Sequence, residues 1–301
     1  MASKSIFRKL AKYTALATAN AAAAFVLASA YTIHKNTARQ KNHANLLDDF
    51  GWLDLNEVVI LAEDGIRISA WLFEHSSDKI VILLPGRGNN RSESLFKAQM
   101  YIEQGYSVLM PDLRGTGSSE GRRISFGWQE QKDLVAWYYY LRTKGFDQIG
   151  AHGYSLGAAT ICYSLDEVDG YHFIILESCY PELSTIVKNS LIRARFPSLA
   201  VHLMIPITSR LVDYDAKEMY PIKYLPLFKG PIFVMGGEND KLVPRKDIIR
   251  LALSSVSGLV KIYLFENGAH QNFSRFFPRI YYRQLKDFLK GVEGFYEKTM
   301  P

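Results

Sequence analysis

The stretch that most constrains this chain is Gly153-Tyr154-Ser155-Leu156-Gly157. It follows a strand-like run, Gln148-Ile149-Gly150-Ala151-His152, and precedes a helix-compatible run, Ala158-Ala159-Thr160-Ile161-Cys162-Tyr163. A strand that turns directly into a helix around one serine holds that serine in a strained backbone with its Oγ at the tip. Glycines flank it because strand and helix come too close there for side chains. The helix N-terminus behind the serine supplies free N–H groups and a positive dipole end. Taken alone, the five residues also fit a tight turn carrying an ordinary serine.

The surrounding sequence favours the first reading. Residues 57–62 and 67–73 flank Glu63-Asp64-Gly65, a hairpin signal. Continuous apolar runs at 79–84, 106–110, 173–176, 231–235 and 260–265 suit strands buried on both faces. Helical patterns lie between them: one ending near Gln104, one over 127–144, one over 246–255 and a last one over 273–295. Strands alternating with helices imply an α/β class with a mostly parallel sheet. Residues 179–229 lack strand runs and carry Pro181, Pro197, Pro206, Pro221 and Pro226. They read as a small helical cap inserted over the carboxyl edge of the sheet.

Charge separates the N-terminus from the rest. Residues 1–45 hold seven basic side chains and no acidic one; the remainder holds 29 basic and 30 acidic residues, so the net +6 is not a binding face and nucleic acid is not an expected partner. Residues 13–33 carry no charge and as a helix would span about 31 Å, enough for a bilayer core. Four basic residues before them favour an N-terminus held inside. The expectation is a single-pass anchor with the folded part on the extracytoplasmic side. The alternative is a signal peptide cleaved near Ala30, after Ala28-Ser29-Ala30, giving a secreted or periplasmic protein. Residues 1–45 are thus an anchor or signal segment plus linker, and 46–301 the folded domain. Cys162 and Cys179 make no disulfide framework, and neither has metal-ligand spacing, so no metal site is expected.

A reactive serine needs a base, and the base needs an orienting acid. Two loops after late strands offer them: Gly236-Gly237-Glu238-Asn239-Asp240-Lys241-Leu242-Val243-Pro244 and Glu266-Asn267-Gly268-Ala269-His270. Both fall just beyond strand carboxyl ends, where open α/β sheets place ligands. Glu238 competes with Asp240 for the acid role. His152 adjoins the serine motif, but strand alternation turns it away from the tip of the turn. Ser178 would line the pocket or cap the next segment, and Tyr154 would pack.

With these motifs in order, residues 55–295 resemble a small, short-capped α/β-hydrolase of the serine-esterase and lipase-like type. Asp112-Leu113-Arg114-Gly115-Thr116-Gly117-Ser118 resembles the family's D-x-R-G-x-G-x-S loop, and 237–244 its G-x-x-D-x-x-V-P loop. The resemblance implies an eight-stranded, mostly parallel sheet with helices on both faces. It also implies Ser155 as nucleophile, His270 as base and Asp240 as acid, with the backbone amides of Leu156 and Arg87 as oxyanion hole. The chain departs from the family's His-Gly-x-Gly run, reading Pro85-Gly86-Arg87-Gly88. The Arg87 side chain would meet an acidic group of the substrate, a loop carboxylate or solvent. The implied activity is hydrolysis of an ester or thioester in a small or lipid-like acyl substrate; acyl transfer by side chains alone would need no organic cofactor. Apolar cap residues Leu191, Ile192, Phe196, Leu199, Leu203 and Ile205 motivate the acyl preference. An amidase or peptidase using the same residues, and a non-catalytic binding module of the same fold, remain alternatives; oligomeric state is open.

Overall fold

The apolar runs become eight strands: β1 (Asn56–Leu61), β2 (Arg67–Phe73), β3 (Lys79–Leu84), β4 (Ser107–Pro111), β5 (Gln148–Tyr154), β6 (Phe173–Glu177), β7 (Ile232–Gly237) and β8 (Val260–Phe265). The computed structural model describes residues 50–75, 77–193 and 218–299, together with Tyr13, Thr14, Tyr31, Lys35, Ala38 and Arg39. The strands form one sheet in the order β1-β2-β4-β3-β5-β6-β7-β8. β2 runs antiparallel to β1 and β4, and β4 through β8 are mutually parallel. This is the α/β-hydrolase sheet.

Strand alternation divides the core in two. Ile80, Ile82, Leu84, Ile149, Ala151, Ile174, Leu176, Ile232 and Val234 face one side. There they meet α2 (Glu130–Thr143), α3 (Leu156–Ser164) and α6 (Arg245–Leu253) through residues such as Trp137, Ile161 and Leu251. Val81, Leu83, Phe173, Ile175, Phe233 and Met235 face the other, against α1 (Leu95–Ile102) and α8 (Pro278–Thr299). On α8, Tyr281, Leu285, Phe288, Leu289 and Val292 recur at helical spacing and are buried. Each such side chain contributes about 1.5–3 kcal/mol of burial.

The single helix expected over 273–295 is two: α7 (Phe273–Phe276) and α8, which begins at Pro278. Proline has no N–H for the preceding turn and its ring crowds the carbonyl four residues back, but it is well suited to a first helical position. Phe277 at φ −131° is the joint.

The insertion between β6 and β7 is described at its two ends, as α4 (Leu183–Arg193) and as α5 (Pro221–Tyr224) followed by one 3₁₀ turn, Leu225–Leu227. Leu183 N–H donates to Met219 at 3.0 Å and Ile222 N–H to Pro181 at 3.2 Å, stitching its two ends together. Phe196, Leu199, Leu203 and Ile205 and the Leu191 side chain lie outside the described residues; Ile192 is exposed. Of the uncharged stretch 13–33, only Tyr13, Thr14 and Tyr31 are described. Among the described residues no helix is long and apolar enough to cross a membrane. Arg39 binds the loop after β4, its N–H on the Arg122 carbonyl and its guanidinium on those of Gly121 and Gly117.

Candidate active site

Ser155 sits between β5 and α3 at φ 51°, ψ −106°, a conformation costly for a non-glycine residue. Two bonds hold it there. Its N–H donates to the Glu177 carbonyl at 2.8 Å, and its own carbonyl accepts from Ala159 N–H at 3.1 Å. The flanking glycines are required by contact. A Cβ on Gly157 would stand 2.7 Å from Leu84 Cβ and from the Leu84 and Pro85 carbonyl oxygens; one on Gly153 would overlap the Gly157 carbonyl.

Two loops from the same edge of the sheet converge on this serine. His270 Nε2 lies 3.0 Å from Ser155 Oγ, and His270 Nδ1 lies 2.7 Å from Asp240 Oδ2. The other Asp240 oxygen accepts the N–H groups of Leu242 and Val243 at 2.8 and 2.9 Å, which aims the free oxygen at the imidazole. The Asp240 side chain has no solvent exposure and that of His270 has 15%. The loops meet because Gly237 is bare: a Cβ there would come 2.9 Å from the Ala269 oxygen and closer still to Gly268. Asn239 N–H donates to the Gly268 carbonyl at 2.8 Å, tying the Asp240 loop to the His270 loop. The arrangement can pass a proton from Ser155 to His270 while Asp240 holds the imidazole with Nδ1–H inward. Glu238, the competing acid, pairs instead with Arg245 at 3.8 Å. Helix α4 reaches the Asp240 loop through Asn189 Nδ2, 2.9 Å from the Leu242 carbonyl.

Leu156 opens α3. Because Gly157 rests on the Leu84 and Pro85 backbone, the loop carrying Arg87 abuts the first turn of that helix. Arg87 is solvent-accessible as a residue, yet enough protein surrounds its guanidinium for burial to lower it from its ordinary value. The Asp112–Ser118 motif works as a brace. Asp112 accepts Arg91 N–H and Ser118 N–H, both at 2.8 Å, and the Arg114 guanidinium binds buried Asp133 at 2.6 and 2.9 Å. Ser178 is buried at φ 46°, and its hydroxyl has no hydrogen-bond partner among the described residues, so it does not cap α4.

Beneath the turn lies a polar network that the sequence reading did not assemble. His152 points toward α1 and α8, as alternation requires. Its Nδ1 is 2.9 Å from Tyr101 Oη, its Nε2 is 2.5 Å from Glu177 Oε1, and Tyr281 also donates to Glu177. Lys97 Nζ stands 3.4 Å from the same carboxylate, with both side chains buried. Burial pushes the His152 imidazole below its ordinary value, consistent with a neutral ring that accepts from Tyr101 and donates to Glu177. Burial alone would raise the Glu177 carboxyl, but Lys97, then His152 and Tyr281, bring it down to about 2. Tyr154 packs between Lys97, 5.5 Å above its ring, and the His270 ring, 5.4 Å away. Glu93, a half-buried carboxylate of this region, is raised by desolvation and lowered by Lys97, the first effect being larger. Cys162 and Cys179 are free thiols, 4.0 Å apart in the core. Among the described residues no group of three or more His, Cys, Asp or Glu could hold a metal ion.

Residues 16–203 match the X-Pro dipeptidyl-peptidase (S15) family. That span includes Ser155 and stops short of Asp240 and His270. The Bacillus subtilis protein YqkD is 25% identical over 263 residues, 83% of this chain and 84% of that one. The Saccharomyces cerevisiae membrane protein YNL320W is 24% identical over 243 residues, 77% of this chain and 78% of that one. Among solved structures, the Pyrococcus furiosus esterase Pf2001 superposes with a TM-score of 0.72 at 23% identity, covering 84% of this chain and 97% of that one.

Proposed function

The chain belongs to the X-Pro dipeptidyl-peptidase (S15) family of serine hydrolases, and we propose that it cleaves a carboxylic ester or thioester through an acyl-enzyme on Ser155. The observation that carries this reading is the unbroken relay from Ser155 Oγ through His270 to Asp240, with steps of 3.0 and 2.7 Å. In the first half-reaction Ser155 Oγ attacks the carbonyl carbon and His270 Nε2 takes its proton. The imidazolium so formed is stabilised by Asp240, which is already desolvated and aimed. The oxyanion is received by the backbone amides of Leu156 and Arg87. His270 then returns its proton to the leaving alcohol or thiol. In the second half-reaction it activates water to release the acid. A non-catalytic role is disfavoured by the strain kept at Ser155, which a binding module has no use for.

The family name favours a second reading, cleavage of an amide by the same residues. A series of p-nitrophenyl esters and an Xaa-Pro p-nitroanilide assayed side by side, with Ser155→Ala as control, separates the two. Ester turnover abolished by Ser155→Ala, with little anilide turnover, is the expected result. The reverse preference would establish the peptidase, and turnover surviving Ser155→Ala would overturn both.

In the same proposal, residues 13–33 anchor the protein with its hydrolase domain on the extracytoplasmic side. Their lack of charge and the membrane-protein name of the yeast relative support this. Retention in the pellet after alkaline carbonate extraction, with protease sensitivity from outside, is expected. A soluble product beginning near Ala30 would mean a cleaved signal instead.

A further inference from the structure

The loop after β3 lacks the family's histidine, yet it is held at two points by one carboxylate. Asn89 N–H donates to the Gly86 carbonyl at 3.2 Å, closing a four-residue turn with Gly88 at φ 88° in its third position. That is the geometry of a type II turn, and a positive φ there suits glycine. Arg87 occupies the second position. Both ends of the turn meet the Glu93 carboxylate: Oε2 accepts Gly86 N–H at 2.7 Å and Oε1 accepts Asn89 Nδ2–H at 2.6 Å. Gly86 is also crowded by Tyr154 of the serine turn. A Cβ on Gly86 would stand 2.6 and 2.8 Å from Tyr154 Cδ1 and Cε1. Glu93 also reaches the base's loop, since its carbonyl accepts Asn272 Nδ2–H at 3.1 Å, two residues beyond His270.

We propose that Glu93 is a positioning residue for the oxyanion hole: its carboxylate sets the Gly86–Asn89 turn so that the Arg87 amide faces the developing oxyanion, in place of the absent histidine. The inference rests on the serine-hydrolase reading and adds to it. A carboxylate suits the position because it accepts from both ends of the turn at once, which a neutral hydroxyl or a single carbonyl cannot do at this spacing. Removing it leaves Gly86 N–H without its partner and lets the turn drift, while the substrate pocket and Ser155 stay in place. The effect therefore falls on the transition state and not on ground-state binding.

The test compares Glu93→Ala, Glu93→Gln and Asn89→Ala with wild type on a p-nitrophenyl ester, reading kcat and KM separately. Affinity for a trifluoromethyl ketone, whose adduct carries the oxyanion, is measured in parallel. Loss of a whole oxyanion donor costs about 10²–10³ in kcat, so a displaced donor in Glu93→Ala should lower kcat about 10- to 100-fold. KM should stay within about threefold by the same reasoning. Ketone affinity should fall in step with kcat. Glu93→Gln should recover most of the loss, because its amide oxygen accepts from Gly86 and its NH₂ donates to a flipped Asn89. Equal loss in the Ala and Gln variants, a change confined to KM, or wild-type kcat in Glu93→Ala would overturn the proposal. Should Glu93→Ala fail to fold, Asn89→Ala decides: a severalfold fall in kcat at constant KM supports the proposal, and unchanged kcat overturns it. Ser155→Ala run alongside keeps the two questions apart. If Ser155→Ala is inactive and Glu93→Ala fully active, only the Glu93 proposal falls. If Ser155→Ala keeps wild-type turnover, the hydrolase reading falls and this one with it.

Discussion

Replacing Lys97 by methionine should destabilise the protein far more than its place on a helix surface pattern suggests. Lys97 and Glu177 are 2% and 0% exposed and 3.4 Å apart, so neither charge has water to turn to. Methionine keeps nearly the same volume and removes only the charge. Breaking one partner out of a buried pair costs about 3–5 kcal/mol, because the remaining charge is uncompensated. For a domain of this size that corresponds to roughly 6–20 °C in melting temperature near pH 7.5. The pH dependence carries a sign. The folded Glu177 carboxyl is depressed to about 2, so its contribution is present above the ordinary carboxylate value and is lost as pH falls from about 4.5 toward 2. Without Lys97 the Glu177 carboxyl rises, so the gap between variant and wild type should narrow on acidification. Adding Glu177→Gln to Lys97→Met should recover part of the loss, with a coupling of about 1–3 kcal/mol. Thermal melts of wild type, Lys97→Met, Glu177→Gln and the double variant at pH 7.5 and pH 4 read all of this. A Lys97→Met melt within about 2 °C of wild type at pH 7.5 would refute the reasoning, since a true buried pair cannot be that cheap to break.

Other perturbations report on the site itself. Asp240→Asn keeps an oxygen for the Leu242 and Val243 N–H groups but turns an NH₂ toward His270 Nδ1. That favours the tautomer with the proton on Nε2, so kcat should fall on the order of 10³- to 10⁴-fold at little cost in stability. Loss under tenfold would mean that Asp240 does not orient the base. Gly157→Ala places a Cβ 2.7 Å from backbone oxygens of Leu84 and Pro85, and should cost about 1–3 kcal/mol in chemical denaturation as well as displacing the Arg87 loop. Wild-type stability would show that α3 can move away from β3 freely. Tyr101→Phe removes one donor to His152 Nδ1 and should cost about 1–2 kcal/mol without altering KM.

What the sequence made legible was whatever is encoded locally. Gly153–Gly157 between a strand run and a small-residue run announces the turn, because close contact leaves no other residue choice at 153 and 157. The apolar runs announce strands buried on both faces, and the loops ending at Asp240 and His270 follow two of them directly. The split at Pro278 was legible in principle, because proline suits a first helical position, but the strong helical periodicity after it drew the expected helix back to Phe273. The network under the turn was not legible, because Lys97, His152, Glu177 and Tyr281 come from four elements brought together only by the sheet order. Lys97 and Glu93 look like ordinary solvated helix charges. One trace was available: Glu93, Lys97 and Tyr101 are spaced four apart, a polar stripe beside the apolar one, and a stripe of that kind points inward when a second helix covers it. The support for the Arg87 loop was hidden for a related reason. A missing histidine says only that something else holds the turn, and the carboxylate that does so stands seven residues from Gly86 on a separate 3₁₀ turn.

The most direct measurement is covalent labelling with a fluorophosphonate, followed by mass mapping of the modified peptide. A Ser155–His270–Asp240 relay gives a single adduct on Ser155, slowed severely by His270→Ala and absent in Ser155→Ala. A well-folded wild-type protein that takes no label, or takes it on a different serine, would contradict it.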